Sequence, residues 1–174
     1  MSTSTEVKSI FQSIEIEYIS KNDWSGVKKS ERNSNEVRAR GFVPGTESRL
    51  LEGDHPLAGE YGLFAAKKFE MFDVIGEYLG DINQCEGHYC AAVSYSQCKS
   101  QEYSVDGGKK GNELRFINDY HNIASGPNVI MKDVHLDTYP CIVIVCVRDI
   151  EIGEEILVSY GPNYCSKYLG INPE

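Results

Sequence analysis

Residues 141–147 read CIVIVCV, a continuous apolar run of strand length that ends at Arg148. With no polar alternation in it, such a strand is expected to be buried on both faces and to lie inside a sheet. Around it, from Tyr61 onward, the runs YGLFAAKKF, DVIGEYLGDI, HYCAAVSYS and EYSVDG are rich in strand formers and punctuated by Gly, Asn and Asp. RDIEIGEE turns at Gly153 into EILVSYG, and no segment carries a long, capped helical period. The expected fold class is therefore mainly β, with many short strands, few short helices and long functional loops.

Residues 1–55 have a different texture and are expected to form a flanking segment of short strands and loops. FQSIEIEYI alternates apolar and polar residues, predicting a strand from Phe11 to Ile19. KNDWSGVKKSERNSNE is a polar loop, VRARGFV a short strand, and PGTESRLLEGDHPLAG a connecting loop.

At 174 residues the chain has the size of one domain with a short appendage, and its 41% hydrophobic residues can build a core. No apolar stretch approaches the ~18 residues of a membrane span. MSTSTEVKSIFQ lacks the apolar core of a secretory signal, so an intracellular protein with no membrane partner is expected. The six cysteines form no CxxC pair, which points to free thiols and to no metal site. A net charge of −9 argues against direct nucleic-acid binding and is compatible with a basic peptide partner.

Four stretches, read in order, resemble one family. YGLFAAKKFEMFDVIGEYLGDI is similar to the opening glycine turn and Glu-Tyr-x-Gly strand of SET domains, and EYSVDG to their next short strand. GNELRFINDYHNIASGPNV resembles their Arg-Phe-x-Asn-His-Ser and Pro-Asn segment, and VRDIEIGEEILVSYG their Gly-Glu-Glu turn and terminal tyrosine. The resemblance covers residues ~59–164, a length that suits one domain. It implies a SET domain over residues 56–164, built from several small sheets with a pseudoknot-like C-terminal threading, and a short tail over 165–174. It further implies an S-adenosylmethionine-dependent protein-lysine N-methyltransferase, acting on a histone tail or another lysine-bearing segment, in the nucleus or cytoplasm.

Lysine methylation is an in-line displacement in which a neutral amine attacks a methyl carbon on sulfonium. The enzyme must hold the amine opposite the leaving sulfur, exclude water and lower the amine pKa. Tyrosine suits this work because it joins an apolar ring to one polar handle. The resemblance selects three of the eleven tyrosines as catalytic or channel residues: Tyr160 at the end of the last strand, with Tyr78 and Tyr103. For the cofactor it implies Tyr61, Gly62, Leu63 and Phe64 in the opening turn, Tyr89, and Arg115, Phe116, Asn118 and Asp119 in the central segment. Asn128 is expected to be structural, and Tyr164 and Tyr168 to close the channel where many relatives carry a zinc-binding cysteine cluster. His121 is expected to be a surface or capping histidine.

The chain departs from the family pattern at Glu60, which interrupts the usual Gly-x-Gly, and at Asp119, which stands where a histidine is usual. Those two departures support the alternative, a SET-like interaction module with weak or lost catalysis.

Overall fold

The computed structural model of the chain describes residues 4–27, 43–84, 88–93, 103–136 and 139–170. The chain begins with α1 (Ser4–Ser13), β1 (Glu17–Tyr18), β2 (Thr46–Leu50), β3 (Tyr61–Ala65), β4 (Val74–Tyr78) and β5 (Asp81–Asn83). β6 (Cys90–Val93), β7 (Tyr103–Asp106), β8 (Lys110–Gly111), a 3-10 turn (Glu113–Phe116) and β9 (Asn118–Asp119) follow. The long pair β10 (Val129–Leu136) and β11 (Tyr139–Cys146), then β12 (Leu157–Val158), α2 (Pro162–Tyr164) and a π-helical turn (Cys165–Leu169) complete it. The strands make several small sheets rather than one large one.

β11 is the apolar run of the sequence, and it lies where such a run must. It is the central strand of β10-β11-β4, antiparallel to both neighbours, with Cys141, Ile142, Val143, Ile144 and Cys146 buried. β7 is the centre of β5-β7-β6. β2 and β3 form an antiparallel pair from Thr46↔Ala65 to Leu50↔Tyr61.

The stretch from Glu154 to Val158 is gripped from two sides. Toward β3, the Ala65 amide donates to Glu154 O at 2.9 Å and the Ile156 amide to Leu63 O at 2.7 Å. On the other side β12 runs parallel to β9, pairing Leu157 with Asn118 and Val158 with Asp119. Buried Asn128 ties this crossing together. Its Nδ2 donates to Glu155 O at 2.7 Å and its Oδ1 accepts the Leu157 amide at 2.7 Å. This is the expected pseudoknot-like threading, and Asn128 has the structural place assigned to it.

Two local expectations are corrected. Of the expected strand Phe11–Ile19, residues 11–13 end helix α1, residues 14–15 form a turn, and only Glu17–Tyr18 are strand. Phe11 belongs to a helical set with Val7, Ile10 and Ile14. Val7 and Phe11, four residues apart, are each 1% exposed, while Ile10 and Ile14 pack beside them. The alternation was real only after Glu15, whose positive φ of 59° ends the helix. The second correction is β2, inside the stretch read as a connecting loop. Its inward residues, Thr46 and Ser48, are polar, so no apolar alternation announces a strand there.

The VRARGFV strand, save Val43, and the end of the HYCAAVSYS run lie outside the described residues. Cys141, Cys146 and Cys165 are buried thiols, whereas Cys90 is disulfide-bonded, against the expectation of free thiols throughout. No helix among the described residues is long and apolar enough to cross a membrane.

Candidate active site: a ligand cleft opening onto an aromatic channel

Two adjoining cavities lie between the sheets. The larger, about 820 Å³, is walled by Leu57, Glu60, Tyr61, Arg115, Asn118 and Asp119, with Ile14 and Ile16 at its α1 side. The smaller, about 300 Å³, is bounded by Tyr78, Ile117, Met131, Ile142 and Tyr160. His88, Tyr89, Cys90, Arg115, Tyr160 and Tyr164 line both, so the two spaces meet at a wall made largely of tyrosine.

Tyr160 sits at that junction because β12 delivers it there. Its amide donates to Asp119 Oδ2 at 2.7 Å and its hydroxyl to Ile117 O at 2.8 Å. Burial pushes the Tyr160 phenol well above its ordinary range, and neighbouring Tyr78 and Tyr164 add to this. The hydroxyl therefore stays protonated, its hydrogen is committed to Ile117, and its lone pairs are left for a ligand. Tyr78, also raised by burial, donates to Tyr89 O at 2.9 Å. Tyr103 is 3% exposed on β7 and is not among the residues lining either cavity.

The central segment is arranged by its own polar contacts. Arg115 Nε donates to Gly107 O at 3.0 Å, and its guanidinium lies 4.4 Å from the centre of the Tyr89 ring. Phe116 packs edge-on against Phe11 at 5.3 Å and tilted against Tyr61 at 5.4 Å. Asn118 Nδ2 donates to Tyr61 O and to Glu155 Oε1, each at 3.1 Å. Of the opening turn, Tyr61 lines the cleft but Gly62, Leu63 and Phe64 do not. Leu63 shares the face of β3 that carries Tyr61 but lies fully within the core at 0% exposure, and Phe64 lies under the Arg49 guanidinium at 4.6 Å. Gly62 serves another purpose, since a Cβ there would lie 2.8 Å from Glu155 Oε1.

Asp119 proves to be a hub. Besides the Tyr160 amide, its carboxylate accepts the His121 amide at 2.9 Å and contacts the His121 ring. Buried Cys165 lies 3.9 Å from its Oδ2 and 3.8 Å from His121 Nδ1. His121 is thus a paired, partly buried residue rather than a bare surface one. Asp119, His121 and Cys165 are the grouping that could hold a metal ion among the described residues, with ligand atoms within 4.8 Å of one another. Burial and the nearby Asp119 push the Cys165 thiol up, which opposes the thiolate a metal would need.

The tail brings tyrosine rings to the shared wall. Tyr164 stands edge-on to Tyr160 at 4.8 Å, Tyr168 lies 4.9 Å from Tyr164, and the Tyr164 hydroxyl is 2.6 Å from His88 Nδ1. Of the two tail tyrosines expected at the channel, Tyr164 lines both cavities and Tyr168 lines neither, and the sequence offers no sign of His88, Leu57, Ile14 and Ile16. Nothing in their own neighbourhoods marks them, because only folding brings them to the cleft.

A domain of small sheets whose last strand threads back beside a ligand cleft, and whose tail walls an aromatic channel, is the architecture of the SET fold. The SET domain family matches residues 60–161, and the chain belongs to that family. It is 34% identical over 108 residues to a histone-lysine N-methyltransferase, H3 lysine-4 specific, of Schizosaccharomyces pombe, covering 57% of this chain and 11% of that protein. It is 32% identical over 110 residues to histone-lysine N-methyltransferase set1 of Dictyostelium discoideum, covering 58% and 7% respectively. The chain thus spans about a tenth or less of the length of these curated relatives. The ATXR5 SET domain, solved with a di-methylated histone H3, shares its fold at a TM-score of 0.68 and 14% identity, over 88% of this chain and 84% of that one. An autoinhibited ctPRC2 bound to S-adenosylmethionine shares it at a TM-score of 0.53 and 22% identity, over 72% and 16%.

Proposed function

We propose that this chain is an S-adenosylmethionine-dependent protein-lysine N-methyltransferase whose substrate is a lysine-bearing protein segment, foremost a histone tail, and whose place of action is chromatin. The observation that carries the reading is the meeting of a cleft of about 820 Å³ with a narrower aromatic channel at Tyr160. In-line transfer between two large ligands requires two entrances and one shared wall.

The cleft fits the cofactor by chemistry. Asn118 has a polar amide for an amino-acid end, and Tyr61 and Phe116 offer apolar rings beside it. Asp119 and Glu60 add negative charge that favours a cationic ligand. S-adenosylmethionine supplies an activated methyl group on a sulfonium. The chain's residues do the rest. Tyr78, Tyr89, Tyr160 and Tyr164 desolvate the lysine, which lowers its pKa toward the neutral amine. The lone pairs of Tyr160 orient that amine, and the ring wall excludes water from the transfer path. The chain's net charge of −9 favours a basic peptide at the channel mouth. The names of the relatives, and the histone H3 complexes of ATXR5, support a histone as first substrate to test.

Labelled methyl transfer onto purified histones and a whole-cell lysate tests the proposal. The expected outcome is label on lysine that disappears with Tyr160→Phe. Cofactor binding with no transfer to any protein would replace the enzyme by the interaction module.

A further inference from the structure

The channel tyrosines differ in where their hydroxyl hydrogens go. Tyr160 donates to the Ile117 carbonyl at 2.8 Å and Tyr78 to the Tyr89 carbonyl at 2.9 Å, and a carbonyl oxygen cannot take a proton away. The Tyr164 hydroxyl instead lies 2.6 Å from His88 Nδ1, an atom that can. Tyr164 lines both cavities and stands edge-on to Tyr160 at 4.8 Å, so it borders the space in which the substrate lysine is proposed to sit. Burial raises the Tyr164 phenol, which keeps it a hydroxyl that passes a proton and holds no charge of its own. At the other end of this contact His88 is exposed. Its ring meets Tyr164 edge-on at 5.6 Å and Tyr168 tilted at 4.4 Å.

The geometry points to His88 as the acceptor of the proton that a substrate lysine must lose before it is methylated, with the Tyr164 hydroxyl as the bridge. This rests on the methyltransferase reading and adds to it the route by which the amine becomes neutral. A lysine arrives as an ammonium, since its free pKa is near ~10.4, and a ring-walled channel gives its proton no water to leave with. The ammonium N–H bond breaks toward the Tyr164 oxygen while the Tyr164 O–H bond breaks toward His88 Nδ1. The amine keeps the electron pair for attack, His88 becomes an imidazolium, and its exposed ring returns the proton to solvent. His88 acts through Tyr164 and does not touch the substrate. The tail meets it with Tyr164, Tyr168 and Lys167, whose ammonium lies 4.9 Å from the Tyr168 ring. The cavity walls it shares carry Arg115 and His121 against four carboxylates, Glu60, Asp106, Asp119 and Asp133, and that balance favours the imidazolium. The other titratable side chains on those walls are tyrosines.

The test is single-turnover methyl transfer from labelled S-adenosylmethionine to a purified histone, followed in the full chain across the range where imidazoles titrate, roughly pH 5–8, and about one unit beyond it. His88→Gln keeps a polar partner for the Tyr164 hydroxyl but takes up no proton. The wild-type rate is expected to climb through the imidazole range and then level off. In His88→Gln the proton must leave to hydroxide. Its rate is expected to fall about a hundredfold near neutrality and to recover by about tenfold per pH unit above it. Tyr164→Phe keeps the ring, cuts the same path and gives the same profile, and the double variant is no slower than either single one. Affinity for S-adenosylhomocysteine stays within about twofold in all three. A His88→Gln profile parallel to the wild type, whatever its height, would reduce His88 to a packing role and overturn the relay, as would additive losses in the double variant. Should His88→Gln fail to fold, the Tyr164→Phe profile carries the same test. Wild-type protein that labels no histone and nothing in a whole-cell lysate would overturn the methyltransferase reading itself, and the relay with it.

Discussion

The Tyr160 hydroxyl has one hydrogen, given to the Ile117 carbonyl at 2.8 Å, so what it can offer a substrate is its lone pairs. Tyr160→Phe keeps the ring and its edge contact with Tyr164 but removes those lone pairs and leaves Ile117 O without its donor. The expected cost in stability is about 0.5–1.5 kcal/mol, the worth of one hydrogen bond. The expected cost in methyl transfer is larger, on the order of a hundred- to a thousandfold, because a preorganised group acts mainly in the transition state. Single-turnover transfer, alongside thermal melts and cofactor titration, separates the two. Near-normal turnover in a folded, cofactor-binding variant would remove Tyr160 from the chemistry. Asp119 is instructive at the same scale. In the sequence it is a departure, standing where the family usually has a histidine. In the fold its carboxylate holds the Tyr160 amide and His121, work that a histidine ring would do differently.

Among elements, α1 connects the N-terminal segment to the site. Phe11 is 1% exposed and touches Tyr18 and Phe116, the latter on the cleft wall. Phe11→Ala is expected to cost about 3–5 kcal/mol, as for other buried Phe truncations, and to weaken cofactor binding through Phe116. Denaturant titration with calorimetry checks both; a stability loss within ~0.5 kcal/mol would mean the helix is a dispensable appendage. Nearby, Lys110 joins β8 to the segment after β1 by donating to Asp23 at 2.8 Å and lying 3.2 Å from Asp81. The Lys110 hydrogen bond lowers the Asp23 carboxyl from 3.8 to about 2. A depressed carboxyl binds fewer protons in the folded state than in the unfolded one. Its contribution is therefore complete above the unfolded value and lost as pH falls through the folded one. Between those two values Asp23→Asn should flatten the acid dependence of stability. An identical acid limb in urea melts of the variant would show that the pair contributes nothing measurable.

On the scale of the molecule, the tail packs against the wall that the two cavities share. Tyr164 meets His88 edge-on and Tyr168 meets it tilted, and buried Cys165 lies in the same turn beside Asp119. The Asp119 carboxylate is already engaged by the Tyr160 and His121 amides, and the Cys165 thiol is held in its protonated form by burial. Cofactor affinity is accordingly expected to survive chelator treatment unchanged. Loss of binding on chelation, restored by zinc, would mean that Asp119, His121 and Cys165 hold an ion and that the tail depends on it.

Local pattern determined the elements whose burial is uniform along the chain. CIVIVCV had to be an interior strand because nothing in it can face water, and the ordered Gly, Arg-Phe-x-Asn, Gly-Glu-Glu and Tyr signals marked the threaded region where β12 lies. Tyr61, Arg115, Phe116, Asn118, Asp119 and Tyr160, which line the candidate cleft, were legible because each belongs to one of those signals. What only the tertiary structure decided is everything that depends on distant partners. β2 is a strand because β3 supplies its hydrogen bonds, not because its polar residues favour one. Phe11 is a helix-face residue because Phe116 and Tyr18 receive it, and Leu63 is lost to the cleft because the core covers it completely. His55 and Glu155, a hundred residues apart in the chain, meet beside Asn118 where Gly62 leaves room for the carboxylate. A sequence records the period of burial along the backbone, whereas the orientation of one amide in a cleft is set by donors and acceptors that only the closed fold brings together.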